Sequence, residues 1–200
     1  MTIDNLYEFL TDKDFKEPDT GNLFFPAYMF TYPAEMEYEI RDKILEFKSR
    51  LIRPNNYLDS LVINIYDEFI DFLKSKRILG NNLLNLYFEK EEEEGTESLI
   101  QDLKDRSNSE EFYEYLSKKV HSHFSTTDSF KRVFLLLYGF GSIFPFLRTS
   151  VFLNNFQKYI ENYKLIIFYP GKYKEGSYFL FNKLNDKHLY RASWLNEFIN

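Results

Sequence analysis

A glycine turn, Gly139-Phe140-Gly141-Ser142, directly follows the apolar run Val133–Tyr138 and is the most suggestive chemistry in the sequence. Backbone N–H groups between a strand and a helix can cradle a phosphate at such a turn. A dinucleotide fingerprint, however, wants a third glycine at position 144, which is Phe144, and no Gly-Lys-Ser/Thr of a Walker A loop follows. The favoured reading is that Gly139 and Gly141 allow a sharp strand-to-helix turn. Arg148 lies one turn into the helix expected from Pro145 to about Tyr159, near the carboxyl end of the preceding strand, where open α/β sheets bind ligands. Its guanidinium could hold a phosphate, a carboxylate of a partner, or an Asp or Glu of the same chain; the last two are favoured.

Three other constellations carry less. His121 and His123 stand two apart just past a helix, with no further His, Asp or Glu at ligand spacing, so exposed helix-end histidines are preferred to a metal site. Ser142 lacks the Gly-x-Ser-x-Gly elbow of a hydrolase nucleophile. The pairs Asp67/Asp71 and Glu110/Glu114 are four apart on helices that need a polar outer face, and solvation explains them.

The elements that position these residues follow from periodicity. Residues 24–32 read as a strand ended by Pro33, and the helix after it carries the stripe Met36, Ile40, Ile44, Phe47 and Leu51, opposite Glu39, Lys43, Glu46 and Arg50. Leu61–Ile65 predicts a buried strand leading into a helix from about Asp67 to Arg77, with Phe69, Ile70 and Leu73 facing inward. A further helix over 81–90 ends in the like-charged run Glu89–Gly95, expected as a helix end and exposed loop. Two helices fill 97–121, broken near Ser107–Ser109, with Ser107 and Glu110 spaced as a capping box. Val133–Tyr138 and Leu165–Tyr169 are unbroken apolar runs of the kind found in the middle of a sheet covered on both faces. Tyr178–Phe181 adds a shorter strand, and the remaining residues a last short helix or tail. Strands alternating with helices imply βα crossovers and a mainly parallel sheet with helices on both faces, in one domain spanning 1–200.

Composition narrows the function. With 200 residues the chain can bury roughly 70% of its unfolded surface in an ordinary core. Cysteine is absent, which removes disulfides, thiolate metal sites and a thiol nucleophile. The first ten residues lack the pattern of a secretory signal, and the longest apolar runs are too short to span a bilayer, so a cytoplasmic protein is expected. Twenty-five Lys+Arg against 31 Asp+Glu give a net charge of −6, which disfavours direct, strong nucleic-acid binding. Aromatic residues make up 20% of the chain. Ordinary core filling is the favoured explanation, and a protein-binding surface is the sharper one.

Between Val133 and Arg191 seven pieces follow in order: the apolar strand, Gly-x-Gly-Ser (139–142), Pro-Phe-x-Arg (145–148), Leu-Asn-Asn (153–155), Phe-Tyr-Pro-Gly-x-Tyr (168–173), Leu-Phe (180–181) and Tyr-Arg-Ala (190–192). Together they resemble the BrxB family of the BREX phage-exclusion system. Tyr32-Pro33-Ala34-Glu35 and Asn64-Ile65-Tyr66-Asp67 look like the family's earlier segments. Leu189 stands where the family usually has an aromatic, and Thr149-Ser150 where a histidine commonly follows the arginine, which puts any chemistry of that histidine in doubt.

The resemblance implies a bacterial defence role, in which phage replication is stopped and host DNA methylated through protein partners. It suggests a non-enzymatic assembly or adaptor subunit without cofactor or metal, with the alkaline-phosphatase-like PglZ as first partner and the methyltransferase PglX as a further candidate. A degenerate P-loop/Rossmann-like three-layer sandwich that lost its phosphate loop fits this expectation. The motif positions Gly139, Gly141, Ser142, Pro145, Arg148, Asn154, Asn155, Tyr169, Pro170, Gly171, Tyr190 and Arg191 then become structural or partner-binding candidates. The alternative is a nucleotide-binding regulatory subunit using the Gly139–Ser142 turn.

Overall fold

The computed structural model describes residues 3–16, 26–126, 128–186 and 192–199. In chain order the elements are α1 (Ile3–Thr11), β1 (Ala27–Tyr32), α2 (Glu37–Leu51), β2 (Leu58–Asn64), α3 (Ile65–Ser75), β3 (Arg77–Ile78), β4 (Asn81–Asn82), α4 (Leu83–Glu94), α5 (Glu97–Ser107) and α6 (Glu110–Phe124). They continue with β5 (Lys131–Tyr138), α7 (Phe140–Ile143), α8 (Thr149–Phe156), β6 (Lys164–Lys174), β7 (Ser177–Leu180), β8 (Leu184–Asp186) and β9 (Ser193–Trp194).

The fold is α/β, built on a mixed sheet. Its main path runs β2-β5-β6-β1-β9, and each pairing along that path is parallel. The last four residues of β6, Gly171–Lys174, continue past this parallel pairing and pair antiparallel with β7, which pairs antiparallel with β8. A separate small hairpin, β3-β4, joins α3 to α4.

Alternation along the strands sends side chains into two cores. Ala27 and Met29 of β1, Leu135 and Leu137 of β5, and Leu165, Ile167 and Tyr169 of β6 face one side, where α3 to α8 cover them. Tyr28, Phe30 and Tyr32 of β1, Phe134, Leu136 and Tyr138 of β5, and Ile166 and Phe168 of β6 face the other, under α1 and α2. Val133 joins that second core beside its neighbour Phe134 because the β2-β5 register slips between Asp59 and Ser60, leaving one residue of β5 unmatched. Burial on both faces explains why β5 and β6 read as continuous apolar runs. Lys164, at the start of β6, is buried, and its ammonium donates to the carbonyl of Phe15 while lying 4.3 Å over that residue's ring.

Several boundaries differ from expectation, each for a local reason. The stripe of α2 buries Ile40, Ile44, Phe47 and Leu51, but Met36 ends a 3-10 turn over Ala34–Met36 that precedes the helix. Residues 24–25 of the first expected strand lie outside the described residues. Ile65 opens α3 instead of ending β2, because the Asn64 side chain accepts from Tyr66 N and caps the helix there. Glu89–Glu94 is helical throughout, not loop: the glutamates stand in solvent, good helix formers, and Lys90 reaches Glu94 at 4.0 Å. The cap of α6 is Ser109, whose Oγ accepts from Phe112 N, whereas Ser107 is buried as the last residue of α5 and donates to the carbonyl of Phe146. Pro145 starts no helix. It sits in a turn after the cis Phe144–Pro145 bond, and Arg148, extended at φ −95° and ψ 143°, delays the helix to Thr149. Helix α1, with Ile3, Leu6 and Leu10 buried, and the strands β8 and β9 go beyond the periodicity analysis.

Candidate functional site

The parallel strands bring their carboxyl ends to one side, and the sequence-predicted turn lies there. Gly139 adopts the left-handed region at φ 87°, which lets β5 leave the sheet and pass directly into α7. A Cβ at this position would lie 2.0 Å from Asn64 Oδ1, so the end of the neighbouring strand β2 occupies the space beside the glycine. That same Asn64 oxygen caps α3, and its Nδ2 donates to Asp67 at 2.7 Å. Gly141 faces the other way: its missing Cβ would be 3.0 Å from Phe181 and 3.1 Å from Pro170. Ser142 is exposed, and its N–H donates to the carbonyl of Gly139. The turn is therefore packed on both sides by side chains of this chain.

Pro170 and Gly171 belong to the same corner. The Pro170 carbonyl accepts from Phe181 N at 2.8 Å, and a Cβ at Gly171 would lie 2.1 Å from the carbonyl oxygen of Phe179, so glycine permits the close approach of β7. Tyr169 is buried with its ring edge-on to Tyr178 at 5.7 Å; Tyr173 continues the series to Tyr178 at 4.7 Å and to Trp194 at 4.9 Å. Burial pushes the Tyr178 hydroxyl well above the ordinary tyrosine range.

Arg148 stands exposed with its guanidinium 5.7 Å from the centre of the Phe144 ring. Among the described residues it forms no ion pair, so the expected intrachain carboxylate is not what holds it. Pro145 is exposed as well. Asn154 and Asn155 lie on α8: the backbone carbonyl of Asn154 accepts from Gln157 Nε2, and Asn155 Nδ2 reaches the hydroxyl of Tyr113 at 3.4 Å. Tyr190 and Arg191 lie outside the described residues. Of the motif positions, the structure gathers Gly139, Gly141, Ser142, Pro170 and Gly171 at one corner and leaves Asn154 and Asn155 apart from them.

Sequence spacing gives no hint of three other polar arrangements. Ser150 and Asp186 are both buried, and the serine hydroxyl lies 2.9 Å from each carboxylate oxygen. The buried Asn196 side chain acts as a strand neighbour to β1: its Oδ1 accepts from Thr31 N at 2.8 Å and its Nδ2 donates to Thr31 O at 2.7 Å. Trp194 Nε1 donates to the Thr31 hydroxyl. Glu68, buried in α3, receives Lys119 and the hydroxyl of Tyr115 from α6.

The two histidines part company. His121 is exposed beside Ser117, Phe124 and Tyr159, while His123 turns under the sheet's amino ends, 3.7 Å from Asp59. Burial holds His123 below the usual histidine pKa, so near neutral pH this contact joins a neutral ring to a carboxylate. Asp59 also faces Arg132 at 3.4 Å, and Arg132 grips Asp128 with two bonds of 2.7 and 2.6 Å. That grip draws the Asp128 carboxyl down to about 2. The acidic pairs of the helices are likewise occupied or solvated: Asp71 by Lys74, and Glu110 by Lys158 and Tyr159, with Glu114 in solvent. Among the described residues no group of three or more His, Asp or Glu stands so as to hold a metal ion.

The model of the family described as "BREX protein BrxB" matches residues 61–195, a span that runs from β2 through β9 and includes the whole packed corner. The chain belongs to the BrxB family. A BrxB protein of Bacillus cereus (strain H3081.97) is 25% identical over 194 residues, covering 95% of this chain and 93% of that protein. A BrxB protein of Escherichia coli O9:H4 (strain HS) is 24% identical over 181 residues, covering 90% of this chain and 82% of its own length. No solved structure matches significantly. As a BrxB family member, the chain has a role in BREX phage defence. Among the described residues no helix is long and apolar enough to cross a membrane.

Proposed function

We propose that this BrxB-family chain is a non-enzymatic assembly subunit of the BREX system, acting in the cytoplasm through protein contacts. The observation that carries the reading is the fate of its most reaction-like motif. Gly139 is abutted by the Asn64 cap and Gly141 by Phe181 and Pro170, so the glycines serve close packing between elements. A parallel path of strands with helices on both faces supports reading the fold as a degenerate P-loop/Rossmann-like three-layer sandwich. PglZ is the first partner under this reading, and PglX the next. A net charge of −6 argues that any influence on DNA runs through such partners.

Mixing the purified chain with PglZ at micromolar concentration tests the pairing. A complex burying about 1,600 Å² should co-elute on gel filtration, and separate migration would refute the partner. Calorimetric titration with ATP, GTP and NAD tests the non-enzymatic part, because saturable heat with any of them would restore the phosphate-cradle reading of the turn.

A further inference from the structure

We propose that the groove between α3, α4 and α5 is a docking site for a basic amphipathic helix of a partner protein. The proposal rests on the reading of the chain as an assembly subunit and names the kind of segment it receives.

The groove encloses about 640 Å³, within the range of sites that take a ligand or an anchoring side-chain cluster. Phe69, Leu73 and Leu99 are buried in its lining. Three large apolar side chains of the lining nevertheless remain in solvent: Phe88 is 56% exposed, and Tyr66 and Ile100 are each 39% exposed. Single exposed apolar residues are ordinary, but three opening onto one hollow form a patch that burial would stabilise. A trough between helices suits the apolar stripe of another helix, which presents anchors at i, i+3 or i+4, and i+7.

Charge selects among possible occupants. Among the described residues, Asp67, Asp71 and Glu91 line the groove against a single cation, Lys74, which is already paired with Asp71 at 3.2 Å. The exposed Glu92, Glu93, Glu94 and Glu97 extend the same sign beyond Glu91. An anionic membrane surface or a nucleic acid would be repelled by this rim, whereas lysines and arginines flanking an apolar stripe would be attracted and steered to it.

The test uses the full chain and a synthetic helix of about 18 residues, or five turns, with one leucine stripe and otherwise lysine, followed by fluorescence anisotropy at physiological salt. Two comparison peptides replace the lysines with glutamate or the leucine stripe with serine. The lysine–leucine peptide should bind at least about tenfold more tightly than either. Phe88→Asp and Ile100→Asp make the rim more acidic while removing apolar contact, and each should weaken binding about tenfold; Asp71→Lys combined with Glu91→Lys, at exposed positions, should do the same by reversing charge. Binding to the Phe88→Asp and Ile100→Asp chains as tight as to the unsubstituted chain, equal binding of the lysine and glutamate peptides, or no binding of the lysine peptide would overturn the proposal. A self-dimer dissolved by Phe88→Asp would overturn it too, by making the occupant a second copy. If the Phe88→Asp chain still co-elutes with PglZ, the groove is not that contact and the proposal fails for PglZ while the assembly reading stands. If the peptide binds and wild-type PglZ does not co-elute, the groove stands and the PglZ pairing fails.

Discussion

Replacing Gly139 by alanine puts the scaffold interpretation of the turn at direct risk. At φ 87° an L-residue is forced into the left-handed region, which costs about 1–2 kcal/mol. The new Cβ would also meet Asn64 Oδ1 at 2.0 Å, so the side chain must swing away and α3 loses its cap, a further loss of about 1 kcal/mol. Together these predict a destabilisation of about 2–3 kcal/mol, or a fall in Tm of about 5–10 °C for a chain of this size. Asn64→Ala alone should cost about 1 kcal/mol through the cap. In the double variant the collision is gone, so its loss should be about 1 kcal/mol smaller than the sum of the two single losses. Urea unfolding of the four proteins, with m-values compared to verify that the transition is unchanged, measures the cycle. Additive losses, or a Gly139→Ala chain within about 0.5 kcal/mol of the parent, would show that Asn64 and Gly139 are not coupled as described.

Three further outcomes rest on buried polar groups of the same fold. His123, held below its ordinary pKa by burial, binds its proton more readily when unfolded; its stabilising contribution is therefore complete above about pH 6.5 and is lost as the pH falls through the lower folded value. Urea midpoints measured from pH 7.5 to 5 should decline, and a His123→Gln chain should show a flatter decline, whereas parallel profiles would contradict this. Asn196→Ala removes both bonds to Thr31 and should cost about 1–3 kcal/mol, with faster hydrogen exchange at the Thr31 amide; unchanged exchange there would refute the clamp. Lys119→Met strands the buried Glu68 carboxylate and should destabilise more than Glu68→Gln, by about 1–2 kcal/mol, because the lysine is half-exposed and its pairing is screened; the reverse ranking in thermal melts would count against it.

Runs whose burial is uniform were legible in the sequence. Val133–Tyr138 and Leu165–Tyr169 announced central strands because both faces are covered, and Ile40, Ile44, Phe47 and Leu51 announced one covered helix face. Ile3, Leu6 and Leu10, at steps of three and four, carry the same signal for α1 in a window barely two turns long. Boundaries were harder, since they depend on partners distant in sequence. Ser107 spends its hydroxyl on Phe146, leaving Ser109 to cap α6, and no local spacing distinguishes the two. The glycine pair was recognisable as a turn, but the reason for each glycine lies in Asn64, Phe181 and Pro170, far along the chain. Position along the chain puts Arg148 near the carboxyl ends of the strands, yet the contact it makes is with the Phe144 ring and not with an acid of the described residues. The acidic groove was invisible as a unit because its lining comes from α3, α4, α5 and Phe146 together.

The short β9 and the Asn196 amide have a consequence for how copies of this protein meet. A strand with an unsatisfied outer row of N–H and C=O groups invites another chain to add itself to the sheet, with aggregation as the hazard. On β1 that row is already engaged at Tyr28 and Met29 by β9 and at Thr31 by Asn196. Pairing of another chain directly on β1 at this side requires residues 193–199 to peel away first, and because Leu195 and Ile199 are buried in the second core, exposing that template for misassembly also costs part of the core.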